Sequence, residues 1–178
     1  TAYVDILIPR GSDALIQFVR KNSLIPTIET GAGVCHTYIE ETASIEQAIP
    51  IVINARVSRP SVCNSLDCLL LDKKIAGTLL SKLAPELIKN EVIVYADSLA
   101  YALLSALEIP DLYPADDSHF GKEWLSKTLT IKIVQDFEDA LKHIDTYSSK
   151  HSEAILTENQ ALANRFLSEV DAAAVYHN

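Results

Sequence analysis

The sequence predicts an α/β domain with a largely parallel central sheet flanked by helices, and two observations carry that prediction. Short runs of β-branched and aliphatic residues alternate with longer stretches in which apolar residues recur at spacings of three and four. Most of the short runs are apolar at successive positions, the pattern of strands covered on both faces. Strand and helix in regular alternation build parallel sheets through helical crossovers.

Taken in order, a first strand is predicted at residues 4–8 and an amphipathic helix at 12–21. Strands at 25–28 and 34–39 follow, separated by Glu29-Thr30-Gly31-Ala32-Gly33, whose glycines permit a backbone turn close to a ligand. A helix over 44–56 opens on Ser44 with Gln47 three residues on, the spacing of a capping box. Strand 68–71 leads into helix 73–90, and strand 92–95 into helix 98–107. The segment 109–121 carries Pro110, Pro114 and a run of acids, so it reads as a surface loop and the most flexible point. Strand 129–134 then passes through Asp136, a helix start with Asp139 in the first turn, into helix 137–147. Strand 154–157, helix 158–170 and strand 173–176 complete the series. Neither an internal repeat nor a domain boundary is visible, and residues 1–178 are read as one unit.

Composition narrows the function. At 48% hydrophobic residues the chain can bury a substantial core, yet no apolar run approaches the roughly 20 residues that span a bilayer. A net charge of -9, with the basic cluster at Lys73 and Lys74 isolated, argues against nucleic-acid binding. Cys35, Cys63 and Cys68 are an odd count without a Cys-x-x-Cys pair or a secretory leader, which suits a reducing cytoplasm. The chain opens on Thr1 and contains no methionine, so it is expected to be excised from a longer protein.

The candidate chemistry centres on Arg59-Pro60-Ser61-Val62-Cys63-Asn64, a loop between a predicted helix and strand. Cys63 is either a nucleophile or a small buried hydrophobe; as a nucleophile it needs nearby positive charge, part of which Arg59 could supply. Glu29, beside the glycine turn, is either a solvated turn residue or a general base for water. Gly31 and Gly33 are the positions where a cofactor could approach the backbone, although the dinucleotide fingerprint is absent. His143, His151 and His177 do not share a ligand spacing, and a Cys35-His36 dipeptide in a strand points to opposite faces, so no metal is expected. The segment 150–153 could line a cleft at a sheet edge or form a polar turn.

Four blocks carry a family resemblance. They are Val4-Asp5-Ile6-Leu7-Ile8-Pro9-Arg10-Gly11; Glu29-Thr30-Gly31-Ala32-Gly33-Val34-Cys35-His36; and Asn54-Ala55 with Arg59-Pro60-Ser61-Val62-Cys63-Asn64. The most specific is the fourth: Val134, Ala140, Leu141, His143, Ile144, Tyr147, Ser148, Ser149, His151, Ser152, Glu153 and Ile155 fit a family signature at every defined place. Together these blocks resemble the glutamyl phosphate reductases, of the aldehyde-dehydrogenase superfamily, across essentially the whole chain.

The resemblance implies a cytoplasmic enzyme of proline biosynthesis, homo-oligomeric when complete, that reduces L-glutamyl 5-phosphate to L-glutamate 5-semialdehyde with NADPH and releases phosphate. Cys63 would form a thioester, the N–H of Cys63 or Asn64 would face the oxyanion, and Arg59 and His151 would contact substrate as motif members. Glu29 would match the superfamily's glutamate base. The family's N-terminal cofactor region and C-terminal continuation are missing, so the chain alone is expected to be inactive. Other readings are a non-catalytic binding or assembly module of the same fold, or a superfamily dehydrogenase for another acyl phosphate. The fourth block favours the glutamyl substrate.

Overall fold

The structure is a computed structural model in which residues 3–11, 13–28 and 32–178 are described. By its contacts the chain divides into two compact units, residues 1–32 and 33–178, where the sequence offered no boundary.

The first unit holds helix α1 (Asp13–Asn22) and a single parallel bridge between Leu7 and Thr27. The strands predicted at 4–8 and 25–28 therefore shrink to one bridge, in which the Leu7 N–H donates to the Pro26 carbonyl and the Ile28 N–H to the Leu7 carbonyl. Pro9 and Pro26 lack the N–H groups that would extend the ladder, and an isolated strand pair is marginal in any case.

The second unit is built on seven strands: β1 (Cys35–Ile39), β2 (Leu66–Asp72), β3 (Ile93–Ala96), β4 (Leu112–Pro114), β5 (Thr128–Val134), β6 (Ser152–Leu156) and β7 (Ala174–His177). They form one sheet in the order β4-β3-β5-β2-β1-β6-β7, and every pairing is parallel, as the two-faced apolar runs predict. Between them lie α2 (Ile45–Val57), α3 (Lys73–Lys89), α4 (Ser98–Ser105), α5 (Asp117–Phe120), α6 (Phe137–Tyr147) and α7 (Gln160–Glu169).

The period of two along each strand divides the core. Ile39, Leu69, Leu71, Ile131 and Ile133 face α2, α3 and α4, where Leu79, Leu80, Leu83 and Leu87 meet them. Tyr38, Cys68, Leu70, Val134 and Ile155 face the other way, onto Phe137, Ala140 and Ile144 of α6 and Phe166 of α7. Each fully buried leucine contributes about 1.5–3 kcal/mol, so the central strand β2, buried along its whole length, anchors both layers. Among the described residues no helix is long and apolar enough to cross a membrane.

Two expectations are corrected. The segment 109–121 is not a plain loop: it contains β4 and α5. Its prolines are compatible with this because β4 is an edge strand, held to β3 by the Val94 N–H on the Asp111 carbonyl at 2.8 Å and the Ala115 N–H on the Ala96 carbonyl at 2.8 Å. Ser44 does precede α2, but its side chain makes no capping hydrogen bond. The helix opens instead on the Ser44 carbonyl, which accepts from the Gln47 and Ala48 N–H groups. Asp136 does cap α6, accepting from the Asp139 N–H at 3.0 Å.

Candidate active site

In a parallel sheet all strands begin at one edge. The 58–65 loop joins α2 to β2, so it lies at the amino edge, beside the starts of β1 and β6. Two tight turns shape it: the Val62 N–H donates to the Arg59 carbonyl at 3.3 Å, and the Ser65 N–H to the Val62 carbonyl at 3.0 Å.

Arg56, 1% exposed, fastens both ends of this loop. Its Nη1 donates to the Leu66 carbonyl at 2.6 Å and to Asp67 Oδ1 at 2.7 Å, and its Nη2 to the Pro60 carbonyl at 2.7 Å. Asp67 is placed for this by a β-bulge: Cys35 pairs with Leu66 and His36 with Cys68, leaving Asp67 as the extra residue. Its carboxylate also accepts from the Trp124 N–H at 3.0 Å. Burial pushes the Asp67 carboxyl up, against the pull of the Trp124 N–H and Arg56.

Beneath Cys63 the fit is close enough to dictate glycine. A Cβ on Gly33 would sit 1.9 Å from the Cys63 carbonyl oxygen, so no side chain fits there. The Gly33 N–H donates to Glu123 Oε1 at 3.0 Å, and the Cys35 thiol donates to the Cys63 carbonyl at 3.2 Å. Burial first, then the Glu153 and Asp67 carboxylates, push the Cys35 thiol up to about 12, so it stays a donor at neutral pH.

The three cysteines therefore divide. Cys35 and Cys68 are buried, and burial likewise raises the Cys68 thiol well above its ordinary range. Cys63 alone is exposed, on a turn held from both sides. The buried-hydrophobe reading describes its two neighbours and not Cys63. Neither the Cys63 nor the Asn64 N–H donates to a described residue, which leaves both free to meet a developing oxyanion.

The remaining sequence candidates are distributed as follows. Glu29 and Gly31 lie outside the described residues. Gly33 is explained by its contact with Cys63. Asn64 and Arg59 are exposed, and the Arg59 side chain makes no hydrogen bond or ion pair among the described residues; the arginine that organises the loop is Arg56. His151 is half-buried just before β6, at the same edge of the sheet, its carbonyl accepting from the Ala174 N–H at 3.1 Å. His177 is not part of this edge; its Nε2 meets the Thr157 carbonyl at 2.9 Å.

Sequence reasoning passed over Arg56, Asp67, Glu123 and Glu153 as site residues. Asp67 leaves a signal, an acid within an apolar strand, and so does Arg56, on the buried side of an amphipathic helix. Glu153, fully buried, receives the His36 N–H at 2.9 Å, His36 Nδ1 at 3.1 Å and the Ser148 hydroxyl at 2.5 Å. The Ser149 hydroxyl accepts from the Val34 N–H at 2.8 Å. The fourth sequence block thus holds the start of β1, which in turn carries Gly33 and Cys35 under the Cys63 turn.

No family model matches the chain. Among curated proteins, the gamma-glutamyl phosphate reductase of Bacteroides thetaiotaomicron is 48% identical over 179 residues, covering 100% of this chain and 43% of its own length. That of Chlorobium phaeobacteroides is 47% identical over 177 residues, covering 99% of this chain and 42% of its own length. Over nearly its whole length the chain is similar to a part of these gamma-glutamyl phosphate reductases. The crystal structure of the gamma-glutamyl phosphate reductase from Thermotoga maritima superposes with a TM-score of 0.91 at 41% identity, covering 99% of this chain and 41% of that one. A propionaldehyde dehydrogenase from Clostridium phytofermentans, at 18% identity and a TM-score of 0.73 and covering 98% of this chain and 47% of that one, shares the fold, which is that of the aldehyde dehydrogenases. The chain spans less than half the length of the curated gamma-glutamyl phosphate reductases it matches.

Proposed function

We propose that this chain carries the thioester-forming step of glutamyl phosphate reduction in proline biosynthesis, with Cys63 as the nucleophile. The Cys63 thiolate attacks the acyl carbon of L-glutamyl 5-phosphate, the carbonyl electrons move onto oxygen, and the Cys63 and Asn64 N–H groups stabilise that oxyanion. As the carbonyl re-forms, the bond to the phosphate oxygen breaks and phosphate leaves with the electron pair. Arg59 and His151 are the groups proposed to meet the substrate's phosphate or carboxylate. Glu29 has little to do in this step, because a leaving phosphate needs no activated water.

The observation that supports this reading is the division of the cysteines: one thiol is exposed on a turn pinned by Arg56 at both ends, and two N–H groups without a partner among the described residues stand beside it. NADPH, when bound, supplies the hydride that reduces the thioester to L-glutamate 5-semialdehyde. At Gly33 the space a Cβ would take is filled by the Cys63 backbone, and Gly31 lies outside the described residues. Because it spans less than half the length of the relatives it matches, the 178-residue chain alone is proposed to be inactive.

The test uses the full-length protein that contains this chain, run in reverse with L-glutamate 5-semialdehyde, phosphate and NADP+, and followed by NADPH absorbance. Phosphate-dependent NADPH formation that disappears in Cys63→Ala supports the assignment. An unchanged rate in that variant, or a preference for a different acyl phosphate in the forward direction, contradicts it.

A further inference from the structure

A second cluster of reactive side chains lies buried behind the Cys63 turn, and the acyl-transfer step does not use it. His36 on β1, Cys68 on β2 and His143 on α6 bring one ring nitrogen each and a sulfur within 4.8 Å of one another. All three residues are buried.

His36 Nδ1 faces the Glu153 carboxylate at 3.1 Å, so that nitrogen carries a proton toward Glu153 and Nε2 is the nitrogen turned to the cluster. That Nε2 is buried and has no hydrogen-bond partner. His143 is neutral, because burial above all brings its imidazole down to about 3. Its Nε2 lies 3.7 Å from the Cys68 sulfur. The unpartnered nitrogen of this cluster is therefore His36 Nε2, buried beside the Cys68 sulfur and the His143 ring.

The geometry points to a site for one thiophilic divalent cation of the zinc class, held by His36 Nε2, Cys68 Sγ and His143 Nε2. Binding breaks the S–H bond of Cys68, forms a sulfur–metal bond and releases the proton to solvent. Tetrahedral bonds of about 2.0–2.1 Å to nitrogen and about 2.3 Å to sulfur place those donors about 3.5–3.6 Å apart, close to the 3.7 Å already present between Cys68 and His143. The Glu153–His36 pair is the outer-shell arrangement that fixes a ligating imidazole. The cation's charge is balanced by the Cys68 thiolate and by Glu153 behind His36. Lys132 opposes it, with its ammonium drawn 5.0 Å above the Phe120 ring, while Asp67 and Asp97 add negative potential at longer range. Such an ion would tie α6 to β1 and β2 directly behind the residues that support Cys63. The proposal does not depend on the acyl-transfer reading.

Cobalt(II) and zinc(II) alone are the probes, added to the chelator-stripped full-length protein. The expected result is one equivalent of cobalt, a thiolate-to-cobalt charge-transfer absorption, and displacement by zinc. The band should persist in the Cys35→Ser/Cys63→Ser double variant, which leaves Cys68 as the only thiol of this segment, and vanish in Cys68→Ser and His143→Gln. The double variant keeps the test decisive even where a core substitution fails to fold. Absence of stoichiometric binding, or a band lost with Cys63 and retained without Cys68, overturns the proposal.

Discussion

The two edges of the sheet use similar polar residues for different ends. At the carboxyl edge, Asp72, Asp97, Asp136 and Asn159 each accept from the first turn of the helix that follows. Glu40, buried there, receives the Thr42 N–H at 2.9 Å, the Thr42 hydroxyl at 2.6 Å and the Thr157 hydroxyl at 2.7 Å. At the amino edge, Arg56, Asp67 and Gly33 hold a turn that presents an exposed thiol and two N–H groups unpaired among the described residues. Open α/β sheets usually bind ligands beyond the carboxyl ends of their strands. Here those ends are largely satisfied by the chain itself, and the groups left free stand at the other edge. Location in a fold is a prior; unsatisfied chemistry is what points to the site.

The sharpest way to separate the edges is to remove the thiol. Cys63→Ala in the full-length protein is expected to lower kcat on the order of 10⁴-fold or more, as loss of a covalent nucleophile does. Its unfolding free energy should stay within about 0.5 kcal/mol, since the residue is exposed. Arg56→Leu strikes the frame instead. It strands the buried Asp67 carboxylate and should cost about 3–5 kcal/mol in a denaturant titration. Gly33→Ala forces a methyl into the Cys63 backbone and should cost about 1–3 kcal/mol, together with a fall in Cys63 reactivity that marks displacement of the turn. At the carboxyl edge, Asn159→Ala should cost about 1 kcal/mol through loss of the α7 cap and leave Cys63 reactivity unchanged. Ser44→Ala, at a helix start whose side chain makes no capping bond, should change stability by less than about 0.5 kcal/mol. An Asn159→Ala effect on Cys63 would break the contrast between the edges.

Much of the sheet was legible because its strands are long apolar runs: β5 and helix α6 fall within a residue of where periodicity puts them. β4 was not, because three residues with a proline make no periodic signal and the strand exists only by pairing with β3. The first two predicted strands failed for the opposite reason, since residues 4–8 have the pattern but only one bridging partner. In the site, Cys63 was visible as a loop cysteine beside recognisable neighbours. Arg59 drew attention because it is close in sequence, whereas the contacts belong to Arg56, one helical turn earlier. The role of Gly33 depends on how closely two backbones approach, and the gathering of His36, Cys68 and His143 on strand pairing and helix packing. Neither is encoded in spacing along the chain.

The central claim, that one cysteine of three is presented for chemistry, is tested most directly by alkylating the native protein from about pH 6 to about pH 9 and mapping the modified residues by mass spectrometry. Cys63 should be modified first at every pH, with Cys35 and Cys68 protected until the protein unfolds, because burial keeps both thiols protonated and out of reach. Modification of Cys35 or Cys68 in the native state as fast as that of Cys63 would contradict the account.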